Sequence, residues 1–290
     1  MTKIPTGYDL PVDNSMSDAD IKAKLMSEHK QTSVKKSNFP TEIVPLPSKG
    51  LVYPEGHPLS DGTIEMKYMT AREEDILTSQ NLIKQGAVLD KLFESLIITP
   101  INYSDLYIGD KNAIMVAARI LGYGKDYVVE IDDPFSPGNK QKVTIDLTQI
   151  EHKEVDYSPF ENRATEFDYQ LPLSNRTVTF RLMTHKIEKE IQAEIKSMNK
   201  TLVKTGIDKE LTTRLKHLIV AVDGERGRAT VDNFVDNELF AADSMGLRKF
   251  MRDFAPDLDM SFTFISDMTG EVKEMDIPLE VSFFWPNTWV

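Results

Sequence analysis

The segment IEMKYMT at residues 64–70 decides the fold, because the chain repeats its pattern as VTFRLMT at residues 178–184. Apolar side chains occupy every second position of both segments, which is typical of a strand with one buried face. Both segments end in Met-Thr. In the first segment Glu73 follows Thr70 by three residues, a capping box that predicts a helix directly after the strand.

Two further stretches repeat in the same order. LYIGD at residues 106–110 matches LFAAD at residues 239–243, and GNKQKVTIDL at residues 138–147 matches GEVKEMDIPL at residues 270–279. Matched residues are 114 positions apart at the strand and 133 positions apart at LYIGD, so the second copy carries about 19 extra residues. The repeat predicts an α+β fold formed by internal duplication of two modules, each with a strand, helices and a β-hairpin.

The predicted organisation has four parts. They are a flexible N-terminal arm with a short helix (1–45), a first α+β module (46–150), a linker (151–165) and a second α+β module with an aromatic C-terminal tail (166–290). The helix of the arm carries a narrow apolar stripe of Ile21, Leu25 and Met26. The arm is either a flexible terminus or a segment that folds on a partner, and in the second case these three residues form part of the interface.

Charge and composition exclude several classes of function. The 290 residues carry a net charge of −12 and no cysteine. Without cysteine there is no disulfide, thiolate zinc site or cysteine nucleophile, and the acidic balance argues against nucleic-acid binding. No apolar run reaches the roughly 18 residues of a membrane span. The polar first ten residues lack the apolar centre of a signal peptide.

No motif predicts catalysis or a cofactor. The chain contains no phosphate-binding glycine loop and no nucleophile elbow, and its five histidines are scattered. Only His185 and Glu188 have the i,i+3 spacing of a metal-binding pair on a helix, and we interpret that pair as a solvated helix face. The sequence therefore predicts a non-enzymatic protein without metal or cofactor.

Two turns at matching places in the repeat have the shape of zinc knuckles, in which two cysteines separated by two residues present their sulfurs to one ion. The four ligand positions hold carboxylate or hydroxyl side chains instead, namely Asp133, Ser136, Ser266 and Thr269. These side chains do not make a structural zinc site, so we interpret the turns as degenerate knuckles. The hypothesis predicts that packing by Phe135 and Met268 takes the place of a metal.

The last ten residues, VSFFWPNTWV, contain both tryptophans of the chain. Such an aromatic tail is costly to leave in water, so it either folds back on its own domain or anchors a partner. We expect burial of Phe283, with Trp285 and Trp289 partly exposed. The two tryptophans join the stripe of the arm as candidate partner-interface residues.

Five short motifs resemble the baseplate proteins of T-even-type bacteriophages, the hub and hub-assembly subunits of contractile tails. In chain order they are LPSKGLVYP (46–54), MTAREEDIL (69–77), VDG (222–224), DSMGLR (243–248) and FFWP (283–286). The resemblance covers about residues 44–286 and leaves residues 1–43 outside the match.

The resemblance implies a non-enzymatic structural component of the baseplate hub, assembled in the host cytoplasm and located in the virion. Its partners would be other baseplate and tail proteins, together with further copies of itself in a symmetric assembly. The alternative is an assembly chaperone of the hub that is absent from the mature virion. Neither nucleic acid nor membrane is an expected partner.

Overall fold

The computed structural model describes residues 40–201, 209–279 and 281–285, and from Thr41 onward they form one compact unit. The fold is α+β, as the sequence predicts. The described residues contain eight α-helices, α1 (Ala71–Thr78), α2 (Gln80–Gln85), α3 (Val88–Leu96), α4 (Ile108–Tyr123), α5 (His185–Thr201), α6 (Glu210–Leu218), α7 (Arg228–Asn233) and α8 (Ala241–Phe254). A π-helical turn at Phe234–Glu238 follows α7.

The described strands pair only with antiparallel neighbours. They are β1 (Thr41–Pro45), β2 (Thr63–Lys67), β3 (Asp126–Asp132), β4 (Lys140–Asp146), β5 (Glu166–Gln170), β6 (Thr177–Arg181), β7 (Ile219–Val222), β8 (Glu225–Arg226), β9 (Ser261–Ile265) and β10 (Val272–Asp276). Strands β1–β2, β3–β4 and β9–β10 form two-stranded sheets, and β5-β6-β7-β8 form a four-stranded sheet in chain order.

The helix signals of the sequence agree with the structure. Thr70 and Glu73 form the predicted capping box at the start of α1. Helix α2 ends before Gly86, because this residue adopts the left-handed conformation that favours glycine (φ +67°). Helix α4 begins two residues before Asp110 and ends at Tyr123, next to Gly124.

We divide the described chain into a first half, which ends with β4, and a second half, which begins with β5. Each half begins with a hairpin, where the sequence predicts a single strand. Val44 of β1 is buried and pairs with Ile64, so Thr41–Pro45 belongs to the folded unit and not to the arm of residues 1–45. The strand is five residues long and has a single buried side chain, so it leaves no periodic pattern in the sequence. The predicted arm helix lies outside the described residues.

The two halves share part of their order of elements, which is a hairpin, helices that end with α4 or α8, and a second hairpin. The second half adds strands β7 and β8 between its helices. Asp110 and Asp243 are the third residues of the long helices α4 and α8, and both are fully buried. This order agrees with the predicted repeat. That the two halves arose by duplication stays a prediction.

The cores of the two halves are interleaved, and here the structure differs from the predicted modules. The last hairpin and the tail belong to the core of the first half, through Phe264, Ile277, Phe283 and Phe284. The predicted linker, 151–165, also contributes to a core, since Phe160 is fully buried with its ring 5.1 Å from Phe167 and 4.8 Å from Phe254. The few apolar residues of this charged segment follow no periodic pattern, so the sequence does not reveal the buried phenylalanine.

Each buried aspartate ties its helix to the loop that follows the first strand of its own half. Asp110 accepts hydrogen bonds from the Ser48 amide (3.0 Å), the Ser48 hydroxyl (2.7 Å) and the Tyr53 hydroxyl (2.7 Å). Asp243 accepts from the amides of Leu173 (2.7 Å) and Ser174 (3.1 Å). Both carboxylates lie in the first turn of a helix, where the helix dipole favours negative charge.

The pKa values of the two carboxylates are shifted in opposite directions. Burial raises the pKa of Asp110 to about 6, and the hydrogen bonds from Ser48 and Tyr53 only partly offset that effect. Burial also acts to raise the pKa of Asp243, but the hydrogen bonds from Leu173 and Ser174 outweigh it and hold this pKa below its ordinary value. The protonated form of Asp110 and the ionised form of Asp243 therefore stabilise the fold.

We predict opposite pH dependences for Asp110→Asn and Asp243→Asn. Relative to Asp110→Asn, the wild type should lose on the order of 3 kcal/mol of unfolding free energy as the pH rises from 4 to beyond 6, because its raised pKa favours the folded state only while the group is protonated. Relative to Asp243→Asn, the wild type should gain stability as the pH rises through 4. Urea unfolding of the three proteins at several pH values measures both differences, and parallel curves would contradict the assignment.

Candidate partner interface

A short antiparallel bridge joins the two halves at the start of α4. The Ile108 amide donates to the Met183 carbonyl (3.0 Å), and the His185 amide donates to the Leu106 carbonyl (2.8 Å). Tyr107 and Thr184 face each other between these bonds. We call this contact between Leu106–Ile108 and Met183–His185 the junction.

The chain segment after α8 covers the other side of the junction. The Tyr107 hydroxyl donates to the Pro256 carbonyl (2.8 Å), and a Cβ atom at Gly109 would lie 2.1 Å from the same oxygen. Only glycine lets the backbones approach this closely. Tyr107 is consequently buried, with 5% of its surface exposed.

A cluster of charged side chains surrounds the junction. Lys111 lies 3.3 Å from Asp90 and 3.0 Å from Glu188, and Lys189 lies 2.5 Å from Asp90. Burial acts to raise the pKa of Asp90, but the hydrogen bond from Lys189 and the charge of Lys111 outweigh burial and lower it. A groove of about 390 Å³ runs along this cluster, with Trp285 at its edge.

His185 is buried in this cluster, so the interpretation of His185 and Glu188 as a solvated helix face is wrong for the histidine. Its Nδ1 lies 3.3 Å from the Lys111 ammonium and 3.7 Å from the Glu188 carboxylate. The ammonium thus occupies the space that a metal between His185 and Glu188 would need. Burial lowers the pKa of His185, and the charge of Lys111 lowers it further.

The aromatic tail folds back onto the first half as far as the structure describes it. Phe283 packs edge-on against Tyr127 at 5.1 Å, and Phe284 lies 5.9 Å from Phe93. Trp285 is half-buried and donates its indole N–H to the Leu77 carbonyl (3.0 Å). The other candidate interface residues, Ile21, Leu25, Met26 and Trp289, lie outside the described residues.

The two knuckle-like turns meet each other, which the sequence did not predict. The Ser266 hydroxyl donates to the Asp133 carboxylate (2.6 Å) and accepts from the amides of Met268 (3.2 Å) and Thr269 (3.1 Å). On the other side, Asp133 accepts from the Phe135 amide (2.8 Å). Asp133 and Ser266 are both buried. A hydrogen-bonded pair therefore holds the turns together.

Of the remaining two knuckle positions, Ser136 lies half-buried in the turn of Asp133, and Thr269 is exposed. Ser136 donates its amide to the Asp133 carbonyl (3.3 Å). Phe135 packs against the core, as the hypothesis of degenerate knuckles predicts. Met268 does not, because 71% of its surface is exposed.

Met268 belongs instead to an apolar surface on the last hairpin. Ile265 and Val272 are opposite each other on β9 and β10 and are 55% and 61% exposed, and Met268 stands in the turn between these strands. Gln141 fixes this hairpin end, since it donates to the Ile265 carbonyl (2.9 Å) and accepts from the Asp267 amide (2.9 Å). We call Ile265, Met268 and Val272 the hairpin patch.

Comparison with known proteins gives no relative, because no family model, curated protein or solved structure matches the chain. Among the helices that the structure describes, none is long and apolar enough to cross a membrane.

We predict that Ser266→Ala loosens the paired turns. The substitution removes the hydroxyl that bonds Asp133, Met268 and Thr269, and it should lower the free energy of unfolding by about 1 kcal/mol. Thr269→Ala is the matched control, because the Thr269 hydroxyl accepts a single exposed bond at 3.3 Å from the Glu271 amide. Urea unfolding measures both variants, and equal stabilities would show that the pair does not hold the turns.

Proposed function

We propose that the protein is a non-enzymatic structural subunit of a contractile phage tail, located in the baseplate hub, which binds neighbouring tail proteins through the hairpin patch. The patch is the observation that carries the proposal. Its three apolar side chains are each more than half exposed.

Exposing this apolar surface to water is costly. Exposed apolar side chains that are close together on a protein surface are typical of interaction sites, and the centre of a protein interface is apolar and depleted of charge. Because Gln141 already holds the hairpin end in place, little conformational entropy is lost when a partner covers the patch.

The charged cluster supports the same proposal. Two of its ion pairs cross between the halves, Lys111 with Glu188 and Lys189 with Asp90. Such partly buried pairs keep the halves in one relative position. A subunit that transmits the position of one neighbour to another needs this rigidity.

We predict that Met268→Asp removes the chain from assembled tails. A carboxylate in the centre of the patch must be desolvated on binding, so incorporation should fall at least tenfold while the fold is retained. Val128→Asp is the matched control, since Val128 is 54% exposed on the other long hairpin. Quantitative mass spectrometry of purified particles, relative to a tail-tube subunit, gives the copy number of each protein.

The proposal expects a fixed copy number for the wild type and for Val128→Asp, and a much lower one for Met268→Asp. If the chain is found in assembly intermediates but not in mature particles, the protein is an assembly chaperone and not a structural subunit. Equal incorporation of Met268→Asp would exclude the hairpin patch as the interface.

A further inference from the structure

The segment Leu239–Asp243 at the start of α8 is the counterpart of Leu106–Asp110 at the start of α4. Both segments place an aromatic residue directly before the helix and the buried aspartate at its third position. In the first half, Tyr107 is buried at the junction, with 5% of its surface exposed. In the second half, Phe240 stands at the same position and is 55% exposed.

Further apolar side chains are exposed around Phe240. Leu173 is 58% exposed and is held beside α8 by the bond from its amide to Asp243. Met245, one turn into the helix, is 63% exposed, and Ala241 and Ala242 are exposed as well. We call Leu173, Phe240 and Met245 the Phe240 surface.

The other segment of the junction, Met183–His185, also has an exposed counterpart in the first half. Met69–Ala71, before and at the start of α1, corresponds to Met183–His185 at the start of α5. Ala71 is exposed. Beside it, the Met69 side chain lies against Gly122, and a Cβ atom at Gly124 would meet nothing within 4 Å. We call Met69–Ala71 with Gly124 the Met69 surface.

The backbone groups of the two surfaces are complementary. In the junction, the amides of Ile108 and His185 donate to the carbonyls of Met183 and Leu106. Among the hydrogen bonds of the described residues, none involves the corresponding groups, the carbonyls of Leu239 and Met69 and the amides of Ala241 and Ala71. Within the described residues, one copy of each side of the junction is therefore left without a backbone partner.

We propose that copies of this chain associate head to tail, with the Phe240 surface of one copy docked on the Met69 surface of the next. The contact repeats between copies the two backbone hydrogen bonds of the junction. It does not repeat the close approach at Gly109, because the corresponding residue of the second half is Ala242, which has a Cβ atom. It rests on the proposed structural role and adds to it the surface for self-association. Because the two surfaces differ, the interface is heterologous and builds a closed ring or an open filament.

Sedimentation of the full chain tests the contact. The weight-average mass of the wild type should rise with concentration above the 32.9 kDa of one chain, whereas Phe240→Asp should stay at that mass under the same conditions. Val128→Asp is the matched control, because Val128 is 54% exposed on the β3–β4 hairpin, outside both proposed interfaces, and this variant should associate like the wild type.

Cross-linking tests which surfaces meet, since the chain has no cysteine of its own. Thr70 and Phe240 correspond to the facing residues Thr184 and Tyr107 of the junction, and residues that face each other in this way have Cα atoms about 4.5 Å apart, within disulfide range. A mixture of Thr70→Cys and Phe240→Cys should form a mixed disulfide at least tenfold faster than a mixture of Thr70→Cys and Val128→Cys.

The outcomes separate the two proposals. A wild type that stays monomeric, a Phe240→Asp variant that still associates, or equal cross-linking in the two mixtures would overturn head-to-tail association. None of these results touches the hairpin patch, whose test is incorporation of Met268→Asp into particles. Circular dichroism of Thr70→Cys checks that loss of the capping hydroxyl leaves the fold intact.

Discussion

The carboxylate of Asp110 and the backbone bridge beside it fix the arrangement of the whole described chain. Asp110 holds the loop after β1 through Ser48 and Tyr53, and the Tyr53 hydroxyl in turn accepts from the Tyr107 amide (3.2 Å). Tyr107 lies in the bridge to the second half. A single buried carboxylate thus connects the first hairpin, the long helix α4 and the second half of the chain.

This arrangement explains why the last hairpin can present an apolar surface. The inner residues of the hairpin and of the tail, including Phe264 and Phe283, complete the core of the first half. The outer residues Ile265, Met268 and Val272 then face away from a fully formed core. The same packing that stabilises the fold leaves the hairpin patch exposed, and we attribute partner binding to that patch.

Periodicity and capping signals predicted the elements with a strong local pattern. Strand β2, the capping box of Thr70 and the stop after α4 follow from residues that are near each other in sequence. Strands β1 and β5 were missed, since each pairs through five residues and only one of those five is buried. The burial of His185 was also missed, because it depends on Lys111 and Asp90, which are more than 70 positions away.

The candidate site was predictable only in part. The sequence placed two similar turns at matching positions of the repeat, and these turns do meet, through Asp133 and Ser266. It could not predict that Met268 points outward, because that depends on how the last hairpin lies on the core of the other half. Nor could it distinguish Phe240 from Tyr107, whose local sequences are alike and whose surroundings differ.

Hydrogen–deuterium exchange of the chain, free and within purified tails, tests whether the protein is an assembly subunit. We expect exchange to slow on assembly at the amides of Asp267–Val272 and Leu239–Met245, which belong to the two proposed interfaces. Exchange at the junction, including the Ile108 and His185 amides, should stay unchanged because these groups are already bonded in the free chain. Unchanged exchange at both proposed interfaces in assembled tails would show that neither surface binds a partner there.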